Sequence, residues 1–403
     1  MVFTFKGISR TVLILSLISL FTDAASEMLY PIMPLYLRSI GFSVVLIGVL
    51  EGFAEMIAGL SKGYFGNWSD LSGRRVPFVQ LGYALSALSK PMMGLSGLPL
   101  WIFGARTVDR LGKGIRTGAR DALLSDESPP GMKGRVFGFH RSLDTLGAVI
   151  GPVLALIFLH YRPNQYRTLF FIAAAPAALA IAASLLLTDR RAAKTGPRTV
   201  VSPFAFLAYW RRSPVPYRRV VIGLLVFALF NSSDVFLLLQ VKRAGMTDAQ
   251  SIMMYVFYNL VFAGTAMPVG ILADRAGFKR IFLVGLALFA VVYGGMAIGG
   301  GLWFLTGLFF LYGLYAAATD GLAKAWISDL TNPADTATAI GTFAGFQSLC
   351  TLIASSLAGL LWFQFGSAVT FAVTALMTVV VIGYLLVAVA VGPRDTAPST
   401  VIP

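Results

Sequence analysis

Runs of about 20 residues with unbroken apolar character recur along this chain. They lie near 12–34, 43–65, 76–96, 135–159 and 166–188, then near 218–240, 248–272, 281–300, 302–326, 339–363 and 367–391. A run of that length is what an α-helix needs to cross the hydrocarbon of a bilayer, where a helix satisfies its own backbone polar groups and an open strand does not. A mean hydropathy of +0.77 and 31 phenylalanines in 403 residues exclude a soluble core as the place for so much apolar surface. The expectation is an all-α polytopic membrane protein.

One stretch does not fit that pattern by composition. "RTVDRLGKGIRTGARD", Arg106 to Asp121, carries seven charges in sixteen residues. An internal repeat decides how to read it. "GNWSDLSGRR" at 66–75 matches "GILADRAGFK" at 270–279, and "LYLRSIGFS" at 35–43 matches "LQVKRAGMT" at 239–247, both 204 residues apart. "LLSD" at 123–126 likewise falls on "WISD" at 326–329. The halves are copies, and the partner of 101–121 is the apolar "FLTGLFFLYGLYAAATDGLAK" at 304–324. The charged stretch is therefore predicted to be a twelfth membrane helix near 100–122. Twelve spans with both termini in the cytoplasm also place most loop Lys and Arg inside, as the positive-inside rule requires. The domain expectation is a six-helix bundle over 1–188, a basic cytoplasmic linker over 189–217, a second six-helix bundle over 218–391 and a cytoplasmic tail over 392–403. The linker is expected to fix orientation and to touch anionic lipid.

Several functions fall away. The net charge of +14 reports loop orientation in such a chain, so no nucleic-acid partner is expected. The single Cys350 permits no internal disulfide and suggests no metal cluster. No HExxH, nucleophile elbow or phosphate loop occurs, and "GKG" at 112–114 lacks the phosphate-loop spacing, so no enzyme and no cofactor are expected. "MVFTFKGISRTVLILSLISLF" begins like a signal peptide, but no small-x-small site follows, and it reads as an uncleaved first span.

Two six-span halves with "GNWSDLSGRR" after the second span and "GILADRAGFKR" after the eighth resemble the major facilitator superfamily of secondary transporters over essentially the whole chain. The resemblance implies the major facilitator fold, a monomer in the plasma membrane (the prokaryotic inner membrane) and alternating access about a central site. It also implies a conformational latch at the cytoplasmic helix ends: Gly66, Asp70, Gly73, Arg74, Arg75 and Arg120 in one half, Gly270, Asp274, Arg275, Gly277, Lys279 and Arg280 in the other. Leu71 stands where a basic residue is usual, which predicts a weaker first latch. In the fifth span, Gly138, Gly147, Gly151 and Pro152 resemble the glycine-proline motif of the superfamily's drug and metabolite antiporters, although Ala155 and Leu156 replace its final glycines. The same residues also read as a close-packing face.

On a helix, Arg106, Asp109, Arg110, Lys113, Arg116 and Arg120 share one face. Facing lipid, such a charge costs at least about 2.5 kcal/mol at mid-depth, so the face is expected to meet a watery cavity or opposite charges. Asp23 and Glu27 in the first span, with His140 and Asp144 in the fifth, are candidates for carrying the coupled proton. Glu51, Glu55 and Arg120 read equally well as structural ion pairs. The second half is more neutral, and Asn231, Asp234, Tyr312, Asp320, Lys324 and Gln347 are its candidate substrate contacts, with Arg106, Asp109, Arg110, Lys113 and Arg116 from the first. Tyr30, Tyr255, Tyr258 and Tyr315 read as stacking or core residues. The leading expectation is proton-coupled export of a small organic molecule, with the proton gradient as energy source and protons, substrate and lipids as partners. Uptake by symport and export of a divalent metal are the alternatives; no resident metal is expected.

Overall fold

The structure, a computed structural model, describes residues 7–30, 32–163, 165–189 and 205–389. Most of the expected linker and the whole expected tail lie outside these residues, as do the side chain of Glu51 and several others at the start of the second span.

Every described element is helical. In order they are α1 (Arg10–Leu29), α2 (Met33–Ser39), α3 (Val44–Ser72), α4 (Val76–Leu95), α5 (Pro99–Asp126), α6 (Lys133–Tyr161), α7 (Tyr166–Ser184) and α8 (Ala205–Arg212). Then come α9 (Val215–Ala228), α10 (Val235–Arg243), α11 (Asp248–Ala276), α12 (Phe278–Ile298), α13 (Leu302–Asp329), a 3-10 turn Pro333–Asp335 and α14 (Thr336–Ala388). Gly366, at φ 84°, breaks α14 into the two expected last spans. Seven described helical segments are long and apolar enough by themselves to cross a bilayer. The charged stretch is not among them by composition, yet it forms the unbroken 28-residue α5.

Two expected spans are corrected. The first, expected continuous over 12–34, stops at Leu29 and restarts at Met33, and the sequence places Pro31 and Pro34 there, which remove helix hydrogen bonds. The seventh, expected over 218–240, is interrupted between Ala228 and Val235. The interruption reads "LFNSSD", whose short polar side chains compete with the helix for backbone hydrogen bonds.

The chain forms two compact units. The first comprises Met1–Glu127, Leu143–Arg212 and Asn332–Ser348; the second comprises Ser128–Ser142, Ser213–Thr331 and Leu349–Pro403. Thus α6 gives residues 133–142 to the second unit and 143–161 to the first, and α14 divides likewise at Ser348. In the first unit a buried apolar cluster includes Met28, Leu29, Tyr36 and Phe170, with the Tyr36 hydroxyl donating to Met93 O at 3.1 Å. Gly82 and Gly112 press α4 against α5, since a Cβ on either would sit 2.6 Å from the other's carbonyl oxygen. The core of the second unit is aromatic, with Phe289 stacked on Tyr293 at 4.0 Å. Leu100, Trp303, Phe363 and Val387 stand 85–89% exposed, an arrangement suited to lipid rather than water.

Candidate functional site

In the first unit, α5 carries its charged face into protein, not lipid. Asp109 is its hub: Lys90 Nζ of α4 lies 2.8 Å from Asp109 Oδ1, and Arg106 Nη1 lies 3.4 Å from Oδ2. Arg110 Nε is 4.0 Å from the same carboxylate, while Arg110 Nη1 pairs with Glu55 of α3 at 3.1 Å. Lys113, exposed, stands among the charges of Arg110, Glu55, Asp23 and Arg116. Burial makes the pairs at Asp109 count, because an ion left alone in such a place is costly, whereas Glu55 is partly exposed.

Two members of the face turn elsewhere. Arg116, expected at the cavity, instead donates to Ser86 Oγ at 2.6 Å and stacks over the Tyr83 ring at 4.5 Å, because the Gly82–Gly112 contact brings α4 within reach. Arg120, expected at the latch, bonds Asp121 Oδ1 at 2.9 Å and Ser19 Oγ at 3.4 Å and feels the charge of Asp144. It thereby ties α5 to α1, in keeping with the ion-pair alternative. Lys90 is the residue that sequence reasoning passed over. It is the sole charge in its apolar span, and that isolation was the available signal.

Asp23 and Glu27 lie half-buried on α1. The glycine motif seats α6 against this same turn: a Cβ on Gly147 would meet Leu20 O, Ala24 N and Asp23 Cβ, and one on Gly151 would meet Ala24 O, Met28 N and Glu27 C. Asp144 is buried near Arg120 in this unit, and Pro152 lies inside α6. Gln347 is exposed.

In the second unit, His140 is buried, and Gly138 packs on Ala266 and Met267 of α11. Asp320 forms an ion pair with Arg141, whose guanidinium also lies over Phe262 at 5.4 Å; Lys324 is half-buried one turn on. Asp234 accepts hydrogen bonds from the hydroxyls of Tyr312, at 2.6 Å, and Tyr258. Asn231 Nδ2 donates to Tyr315 Oη at 3.1 Å.

The loop carboxylates cap helix N-termini, where backbone N–H groups lack partners. Asp70 accepts from Thr338 N at 2.5 Å, Thr338 Oγ1 at 2.6 Å and Ala337 N at 3.3 Å, within the first unit. Asp274 accepts from Gly134 N at 2.7 Å and Arg135 N at 2.8 Å, within the second. The donors are repeat-equivalent, since Ala337 and Thr338 lie 203 residues beyond Gly134 and Arg135. Gly66 and Gly270 permit the approach, as a Cβ on either would meet the carbonyl oxygen of Ala337 or Gly134 respectively. Leu71 is exposed, and Arg75, ion-paired with Asp70, supplies the positive charge in its stead, so the expected weakness of the first latch is not seen in its contacts. Burial pushes the Asp70 carboxyl above its ordinary range, and Arg75 and Thr338 pull it back. Gly73 and Gly277 end α3 and α11 with positive φ, of 63° and 94°. Arg74, Arg275 and Arg280 are exposed, and Lys279 Nζ instead caps the end of α14 through Val389 O at 2.6 Å. Asp189, not anticipated, caps α4 through Arg75 N at 2.9 Å and Val76 N at 3.0 Å.

Repeated helical halves, a charged intramembrane helix and twin capped loops define a secondary transporter. The chain belongs to the Major Facilitator Superfamily, whose family model matches residues 15–264 and 241–402. It is therefore a multi-pass membrane transporter and not an enzyme. It is 32% identical over 363 residues to an uncharacterized MFS-type transporter of Methanocaldococcus jannaschii, covering 89% of each chain. To the multi-drug resistance efflux pump PmrA homolog of Lactococcus lactis it is 22% identical over 294 residues, 69% of each chain. The fold matches the human organic anion transporter MFSD10 (TETRAN) with a TM-score of 0.76 at 19% identity, covering 93% of this chain and 99% of that one. It matches the E. coli fucose:proton symporter FucP with a TM-score of 0.75 at 12% identity, covering 95% and 99%.

Proposed function

We propose that this chain is a proton-coupled exporter of a small organic molecule, working by alternating access in the plasma membrane with both termini in the cytoplasm. The observation that carries the reading is the set of half-buried carboxylates Asp23 and Glu27 on α1, with the cation-rich face of α5 in the same unit. A carboxylate there can give up or take a proton as nearby cations and substrate change its surroundings. The glycines that seat α6 on the Asp23–Glu27 turn, and the resemblance of their motif to antiporters, support exchange of proton against substrate. The sequence similarity to an efflux pump supports the outward direction. The bundles at 1–188 and 218–391, joined by the linker, are the moving parts in this reading, and Asp70 and Asp274 are the latches.

The test uses cells expressing the chain and loaded with a panel of neutral and charged fluorescent dyes. For at least one dye, wild-type cells should hold less than cells expressing Asp23→Asn or Glu27→Gln, and collapsing the proton gradient should erase the difference. Gradient-driven export that survives both substitutions moves the proton site to Asp144 and His140. Dye that rises above control levels in wild-type cells, and falls when the gradient collapses, establishes uptake instead.

A further inference from the structure

Asp234 differs from four other acidic residues of the intramembrane helices. Asp109, Asp121, Asp320 and Glu55 each have a lysine or arginine within salt-bridge reach, at Lys90, Arg120, Arg141 and Arg110. Among the described residues Asp234 has none: its two carboxylate oxygens accept from neutral phenols, Tyr312 at one and Tyr258 at the other. It also forgoes the bond its position offers. Asp234 is the N-cap of α10, where an aspartate ordinarily accepts from its own helix, but no such bond forms and the side chain turns to the tyrosines. A half-buried anion held in place without a counter-charge is set for a cation that arrives.

The surroundings say which kind. Tyr258 and Tyr312 meet edge to face at 5.2 Å, Tyr312 and Tyr315 lie 5.3 Å apart, and Phe289 closes on Tyr315 at 4.7 Å. Rings around a carboxylate attract an organic cation through their faces, and phenols that donate to an anion become richer in electrons still. A hydrated metal ion has little to gain from this wall, and an anion would meet the carboxylate directly. The polar neighbours of the tyrosines, Asn231 at Tyr315, Asn259 at Tyr258 and Thr319 at Tyr315, are neutral.

We propose that Asp234 with Tyr258, Tyr312 and Tyr315 is a recognition site for an organic ammonium group, primary to quaternary, on an apolar body. This deepens the export reading and rests on it in one respect, that the cargo is a small organic molecule. The interruption between α9 and α10 serves the site, because a continuous helix would carry no free cap residue at this depth.

The probe is radiolabelled benzyltrimethylammonium, bound at equilibrium to the purified full chain in detergent without any gradient. Saturable binding is expected, displaced by unlabelled probe but not by equal concentrations of benzenesulfonate or of neopentylbenzene, its uncharged carbon isostere. Asp234→Asn should weaken binding by at least about tenfold, and Tyr312→Phe and Tyr258→Phe each by a few-fold. The phenylalanine variants keep the shape of the wall and serve if the asparagine variant does not purify. Absence of saturable binding, equal displacement by the neutral isostere, or wild-type affinity in Asp234→Asn overturns the proposal; so does wild-type affinity in both phenylalanine variants. Neutral dyes exported without any ammonium binding would sink this site and leave the export reading standing. Ammonium binding in a protein that exports nothing would do the reverse.

Discussion

Asp109 shows how one residue can hold a membrane helix together. Its carboxylate is shared by Lys90 at 2.8 Å and Arg106 at 3.4 Å, with Arg110 at 4.0 Å and Ser89 donating at 3.3 Å. Removing one member of a buried charge group strands the others, at a cost of about 3–5 kcal/mol in the interior of proteins. The two ends of the Lys90–Asp109 pair are therefore not equivalent. Lys90→Met leaves Asp109 with two arginines, whereas Asp109→Asn leaves three cations around a neutral amide. Thermal unfolding of the purified variants should show both destabilised and Asp109→Asn the more so. An equal or smaller effect for Asp109→Asn would show that the carboxylate is not the hub. The charge stripe on α5 was legible from spacing alone, but its division was not: whether an arginine meets a carboxylate, a serine or a tyrosine ring depends on which helix lies opposite. Lys90 was legible as an isolated charge and Asp109 as a member of the stripe; their pairing belongs to the tertiary structure.

At the scale of elements, glycine decides which helices touch. Gly147 and Gly151 of α6 meet the backbone of α1, and Gly138 of the same helix meets the backbone of α11. Backbone cannot yield as a side chain can, so added volume there must move a helix. Gly147→Val is expected to lower the melting temperature and to abolish gradient-driven export, since it displaces the turn that carries Asp23. Gly104 on α5 is the control, with open space around its Cβ position. Gly104→Ala should leave transport unchanged and stability equal or slightly raised, as alanine is the better helix former by about 1 kcal/mol. Comparable losses in the two variants would mean that the packing at Gly147 is not special. The spans themselves were legible because twenty apolar residues in lipid leave the backbone little choice, and α5 was legible through its repeat partner. The interruptions were not, because "LFNSSD" is still polar by only a few residues within an apolar run, and hydropathy averages over the very turn where the helix stops. Asp234 was read from sequence as a cavity contact; its release from the cap of α10 required the break to be seen.

Over the whole molecule the repeat makes a quantitative demand. Asp70 and Asp274 cap repeat-equivalent donors, so each latch should bias the switch between inward-open and outward-open forms in the same direction. Asp70 has an ion pair with Arg75 and a hydroxyl bond from Thr338 besides its two backbone donors, and Asp274 accepts from two backbone donors. Bonds to a charged group are worth about 1.5–3 kcal/mol each in the burial they enjoy here, and an amide keeps part of that. Asn at either position should therefore shift the ratio of the two forms about tenfold, roughly 1.4 kcal/mol. Distance distributions between spin labels placed at the N-terminal ends of α4 and α12, beside the capped loops, would report those populations. The double variant should come close to the sum of the single shifts, because Asp70 caps Ala337 and Thr338 while Asp274 caps Gly134 and Arg135. Shifts in opposite directions would break the equivalence that the repeat implies, and no shift in either would reduce both carboxylates to helix caps without a part in switching.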